Sequence, residues 1–129
     1  MKYLSTTHTK HLTARIIITL PLLLLYTACT ETPTEPIPTS FPVRLEITGT
    51  ARTVSITYKP NNTSTAQIAS VELPWEHSYT GIRGQTYYLS AQNNGSSGEV
   101  TVTVYRNGHV YKTVTSTGGY VIATASGSL

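Results

Sequence analysis

The stretch Val100–Val114, VTVTVYRNGHVYKTV, sets valine against threonine up to Tyr105-Arg106, reaches Asn107-Gly108, and returns along His109-Val110-Tyr111-Lys112-Thr113-Val114. Side chains that repeat every second residue belong to a strand with one face in a core and one in water. Asn-Gly between two such runs is the pair that a two-residue type I′ turn requires, because both central residues take positive φ. The segment therefore reads as a β-hairpin. Counting back from the turn, Arg106 faces His109, Tyr105 lies beside Val110, Val104 faces Tyr111 and Val102 faces Thr113. Thr103 and Lys112 then meet on the other side.

Working outward from the hairpin, the same period recurs. Val43, Leu45 and Ile47 alternate with Arg44, Glu46 and Thr48, and Val54, Ile56 and Tyr58 alternate with Ser55 and Thr57. A turn-rich Lys59-Pro60-Asn61-Asn62-Thr63-Ser64 precedes a weaker run from Ala66 to Leu73. Trp75, His77 and Tyr79 share a face opposite Glu76, Ser78 and Thr80. Tyr87, Leu89 and Ala91 oppose Tyr88, Ser90 and Gln92, and Tyr120–Thr124 closes the set. No window has the 3.6-residue apolar period of an amphipathic helix. Seven or eight short strands in residues 43–129 predict an all-β fold, an immunoglobulin-like antiparallel β-sandwich, with a small barrel as the second choice. A domain this small buries only about 60 to 65% of its unfolded surface, so most strands must be half exposed.

The first part of the chain has a different character. Lys2, Lys10 and Arg15 precede the apolar run Ile16–Leu25, and small residues follow in Tyr26-Thr27-Ala28-Cys29. That order is a secretory signal over residues 1–28, and its apolar run falls short of the ~20 residues of a spanning helix. The end of the signal resembles a bacterial lipobox, in which Cys29 becomes the lipid-modified first residue of the mature protein, although Tyr26 stands where leucine is usual. A covalent lipid such as palmitate on Cys29 also accounts for a single cysteine with no partner to pair with. Residues 29–42 then form a lipidated N-terminus and a Pro/Thr-rich linker in which Pro33, Pro36, Pro38 and Pro42 favour extended geometry, at roughly 3.1 Å per residue. The expected location is the bacterial envelope, lipid-anchored, at the outer membrane facing the periplasm or the cell surface.

Charge follows the same division. Three of the nine basic residues lie in the signal, and the remaining six, Arg44, Arg52, Lys59, Arg83, Arg106 and Lys112, balance six glutamates. A near-neutral mature chain lacks the clustered cations that phosphate recognition needs, so nucleic acid is not an expected partner.

Candidate chemistry concentrates in VELPWEHSYT, Val71–Thr80, where Glu72, Glu76 and His77 surround the single tryptophan. Two carboxylates and a histidine can serve acid–base work, but the chain has no aspartate to complete a Ser-His-Asp triad and no Gly-x-Ser-x-Gly turn. A metal needs three or four ligands, and the mature chain has only His77 and His109 among histidines. Strand parity also sends His77 and Glu76 to opposite faces. No catalytic residue, metal or cofactor beyond the lipid on Cys29 is expected, and a hydrolase is a distant third function. Leu73-Pro74-Trp75 reads as a kink between two strands, after which the indole either enters the core or seals its end. Seven tyrosines lie in the domain, chiefly as strand formers. Tyr105, Val110 and Tyr111 are the candidate contact surface. Gly81 and Gly84 mark a turn, and Asn61, Asn62 and Asn94 match the N-glycosylation tripeptide without a bacterial use for it.

Four segments, Val71-Glu72-Leu73-Pro74-Trp75, Tyr88-Leu89-Ser90-Ala91-Gln92-Asn93, the Val102–Val110 hairpin and Thr117-Gly118-Gly119-Tyr120-Val121, carry a family likeness. In order and spacing they resemble the extracytoplasmic domain of the mycobacterial membrane-protein-small (MmpS) family, over residues 43 to 127. The resemblance implies a sandwich domain that acts as an accessory to large RND-type (MmpL-like) exporters of lipids and siderophores, with no catalytic residues to carry over. Two features depart from the family. Its members usually keep an N-terminal transmembrane helix, and many carry a cysteine pair that aligns with Val102 and Ala125 here. The alternative function is an envelope module that binds carbohydrate or lipid through the tyrosine-bearing face.

Overall fold

The computed structural model describes residues 34–61 and 63–129. The signal segment, Cys29, the first part of the linker and Asn62 lie outside the described residues. Eight strands follow one another: β1 Ser40–Gly49, β2 Thr53–Tyr58, β3 Ala66–Glu72, β4 Trp75–Ile82, β5 Thr86–Asn93, β6 Glu99–Arg106, β7 His109–Thr117 and β8 Ile122–Ser128. They form two four-stranded sheets, ordered β4-β1-β6-β7 and β3-β2-β5-β8, and every pairing is antiparallel.

The all-β sandwich expected from the alternation is what the chain forms. Its likeness to the immunoglobulin sandwich is one of architecture, two packed antiparallel layers. In the constant-type immunoglobulin domain the first and sixth strands lie in different sheets, whereas β1 and β6 are neighbours here, with Leu45 opposite Val104 and Ile47 opposite Val102.

The core lies where the parity of the sequence puts it. Val43, Leu45 and Ile47 of β1 and Val100, Val102 and Val104 of β6 point inward from one sheet, fully buried. Val54 and Ile56 of β2, Leu89 and Ala91 of β5, and Ala123 and Ala125 of β8 meet them from the other. Val102 and Ala125 are thus both packed core residues. The central strands β1, β2, β5 and β6 hold most of this core, and the edge strands β3, β4 and β7 add half-buried Ile68, Trp75, Tyr79 and Val114.

Three details differ from the alternation taken alone. First, β1 begins at Ser40, and Phe41, assigned by composition to the linker, is only 4% exposed in the core. Second, the closing strand is Ile122–Ser128: Tyr120 has φ of 56° and belongs to a turn in which its N–H donates to Gly95 O at 3.0 Å. Third, the β6–β7 register holds only for the pairs beside the turn, Arg106 with His109 and Tyr105 with Val110. The turn itself is as expected, with φ of 52° at Asn107 and 77° at Gly108.

Beyond Tyr105 the ladder slips by one residue, so Val104 faces Lys112, Thr103 faces Thr113 and Val102 faces Val114. Tyr111 is the extra residue of a β-bulge, a device that bends a strand and re-aims a side chain. Its hydroxyl donates to Ser128 O at 2.9 Å and its ring meets that of Tyr87 edge-on at 5.8 Å, both on the opposite sheet. The slip also brings hydroxyls together in pairs, Thr101 with Thr115 at 2.8 Å and Thr103 with Thr113 at 3.2 Å.

A second bulge shapes β3. Val54 pairs with Val71 and Ile56 with Ile68, leaving Ala69 and Ser70 opposite Ser55, with Ser70 at φ of 55°. This interruption is why the run from Ala66 to Leu73 alternates poorly, and a bulge on an edge strand also blunts its capacity to pair with another chain.

Candidate functional site

β3 ends at Glu72 and β4 begins at Trp75, so Leu73-Pro74 is the break between strands that the sequence predicts, and it also carries the chain from one sheet to the other. Trp75, His77 and Tyr79 then project toward the interior side of β4. Trp75 is half-buried against the core and meets the Tyr58 ring edge-on at 4.9 Å; His77 lies parallel to the indole at 6.3 Å and 5.1 Å from Tyr58. The His77 Nε2 is 3.5 Å from Pro60 O. Burial raises the Tyr79 hydroxyl above its ordinary pKa. Trp75 and its neighbours are an aromatic seam at the β4 edge of the sandwich.

The carboxylates do not join that seam. Glu72 is exposed opposite Thr53, and Glu76 is on the outer face of its sheet, opposite Glu46. Among the described residues no three of His, Cys, Asp and Glu stand close enough to hold a metal ion. The fold thus separates the residues that Val71–Thr80 brings together in sequence, by strand parity.

The outer face of the β4-β1-β6-β7 sheet brings other residues together. Cross-strand rows read Glu76, Glu46, Thr103, Thr113 and, next to it, Ser78, Arg44, Tyr105, Val110. The Arg44 guanidinium pairs with Glu46, lies 3.6 Å from a Glu76 oxygen and stacks 3.8 Å from the centre of the Tyr105 ring. The Tyr105 hydroxyl donates to the other Glu46 oxygen at 3.0 Å. The hydrogen bond to Glu46 is the chief reason the Arg44 pKa rises above its ordinary value, and burial, the next cause, acts against it. Guanidinium over an aromatic ring, fixed at its end by a carboxylate, is a rigid arrangement for two side chains with many rotamers.

Both long side chains lean along their strands toward Glu46. The space they leave is a shallow groove of about 570 Å³, lined by Pro42, Arg44, Ser78, Thr80, Tyr105 and Gly108 among others. A comparable groove of about 540 Å³ lies on the outer face of the other sheet, beside Thr57, Lys59, Thr86, Tyr88 and Ser126.

Of the predicted contact residues, Tyr105 and Val110 are adjacent on the outer face, and Val110 is 60% exposed. Tyr111 is not part of that surface: the bulge turns it to the seam between β7 and β8, where Arg106 lies 5.4 Å from its ring and 4.1 Å from that of Phe41. Burial, with the Tyr111 phenol second, raises the Tyr87 pKa. The sequence reading did not find Arg44, Glu46 or the Pro42 groove. Arg44 and Glu46 share a parity on β1, but their partner Tyr105 arrives only through the β1–β6 pairing.

One more cluster of polar contacts joins distant segments of the chain. Asn93 is fully buried; its Nδ2 donates to Ser97 O and Gly118 O, and its Oδ1 accepts from Gly95 N–H, each at 2.8 Å. It ties the loop after β5 to the turn after β7. Gly119 approaches that loop so closely that a Cβ there would stand 2.4 Å from Ser96 O. Asn93 and Gly118-Gly119 therefore form one structural clasp.

Compared with protein-family models and with curated proteins, the chain matches none.

Proposed function

We propose that this protein is a non-catalytic binding module of the bacterial envelope, anchored by lipid on Cys29, and that it serves as an accessory to an RND-type exporter. The observation that supports a binding role is the outer face of the β4-β1-β6-β7 sheet, where Arg44, Tyr105 and Val110 sit in one cross-strand row beside an ordered carboxylate. Arginine and tyrosine are the residue types enriched at protein interfaces, and a side chain already held in place loses less entropy on binding. The exporter as partner rests on the resemblance of the four sequence segments.

A photo-crosslinking residue at position 110 of the full-length lipoprotein, in native membranes, tests the partner. Recovery of an RND-type transporter supports the accessory role, and its absence from the crosslinked products refutes it. Incorporation of a tagged fatty acid, lost in Cys29→Ser, tests the anchor; an unlabelled wild-type chain overturns it. A second reading, carbohydrate or lipid binding, is favoured by the groove beside Tyr105, whose walls carry both apolar surface and hydroxyls.

A further inference from the structure

We propose that the groove over Pro42 binds a ring of a neutral glycan, an assignment that rests on the second reading above. The lining combines two kinds of surface. Pro42 and the edge of Tyr105 supply apolar area, and the hydroxyls of Ser78 and Thr80 stand on the β4 side. A pyranose has the complementary division, C–H groups on its faces and hydroxyls around its rim. At about 570 Å³ the groove falls within the size range of small-ligand sites.

Charge decides between ligand classes. Among the described residues of the lining the one cation, Arg44, already faces two carboxylates, Glu46 and Glu76, so the group is net negative by one charge. A phosphate or carboxylate would meet a guanidinium that is neutralised before it arrives, and a second carboxylate nearby. A lipid chain fits less well, because an acyl tail gains most from enclosure and this groove, although largely apolar, is shallow and open, with Ser78, Thr80 and Arg44 on its border. A neutral polyol suffers neither penalty. It can accept from the guanidinium and exchange hydrogen bonds with the serine and threonine hydroxyls. The Glu46 hydrogen bonds hold Arg44 and Tyr105 in place, which makes Glu46 a positioning residue.

The test uses the full-length protein in detergent micelles with cellohexaose, chitohexaose and mannohexaose as probes, read by saturation-transfer NMR and calorimetry. A dansyl-labelled phosphatidylethanolamine in the same micelles forms the lipid arm. Thr80→Trp fills the groove from its exposed rim without touching the core, and Tyr88→Ser alters the groove on the other sheet. Circular dichroism confirms that both variants fold. At least one oligosaccharide is expected to bind, with affinity reduced about tenfold or more by Thr80→Trp and unchanged by Tyr88→Ser. Binding lost in Tyr88→Ser but kept in Thr80→Trp overturns the location. Displacement of the lipid by Thr80→Trp with no glycan bound overturns the sugar assignment and leaves the ligand-binding reading standing. Binding of neither probe class overturns both.

Discussion

Replacing Asn93 with alanine removes the clasp between the β5–β6 loop and the β7–β8 turn. Three hydrogen bonds of 2.8 Å are lost, one accepted by the amide oxygen and two donated by its nitrogen, from a side chain with no exposed surface. A protein hydrogen bond contributes about 1 kcal/mol net, and a buried group left unpaired costs about 1 to 3 kcal/mol. The Ser97 and Gly95 backbone lies in a partly exposed loop that water can reach, so the lower figure applies to each. The expected loss is about 3 kcal/mol, a large part of the stability of a domain this small. Urea denaturation of the detergent-solubilised chain, with the fluorescence of the single Trp75 as probe, should show the midpoint falling by about 2 M if m is near 1.5 kcal/mol/M. Asn93→Asp supplies an internal control of nearly equal shape. Its carboxylate would face the Ser97 and Gly118 carbonyls, so its folded-state pKa rises above the unfolded value and the variant regains stability as pH falls through that raised value. A loss under about 1 kcal/mol in Asn93→Ala, or an Asn93→Asp variant as stable as wild type at neutral pH, would refute the clasp.

Other expectations concern the seam, the bulge and the buried phenols. Trp75→Ala should destabilise by about 2 to 3 kcal/mol, below the range for a fully buried aromatic because the indole is half exposed, and calorimetric melting measures it. Ser70→Gly should stabilise by about 0.5 to 1 kcal/mol, since Ser70 has φ of 55° in the β3 bulge; an unchanged or lower melting temperature contradicts that account. Tyr79 and Tyr87 both have raised pKa values in the folded state, so their contribution to stability should be flat up to about pH 10 and fall as pH rises from there through the folded values. Spectrophotometric titration of Tyr79→Phe and Tyr87→Phe should each remove a late-ionising phenol.

Most of the layers could be read from local pattern. Val43-Leu45-Ile47, Tyr87-Leu89-Ala91 and Val100-Val102-Val104 point inward because a strand alternates its side chains whatever lies beside it. Asn107-Gly108 folds back because its own φ angles demand it, and Leu73-Pro74-Trp75 breaks one strand from the next through proline's missing donor. Parity likewise parted Glu76 from His77 before any neighbour was known.

What the fold alone decided are the relations between distant segments. Tyr111 bulges out of register because Tyr87 and Ser128, on the other sheet, offer its ring and hydroxyl a place that a regular ladder does not. Phe41, in phase with Val43, Leu45 and Ile47, joins the core because β1 runs three residues further back than the Pro/Thr-rich composition suggests, between β4 and β6. Arg44, Glu46 and Tyr105 became one network only when β1 settled beside β6. Alternation fixes which way a residue points, since that depends on the backbone of its own strand; which strand stands next to it depends on the packing of the whole sandwich.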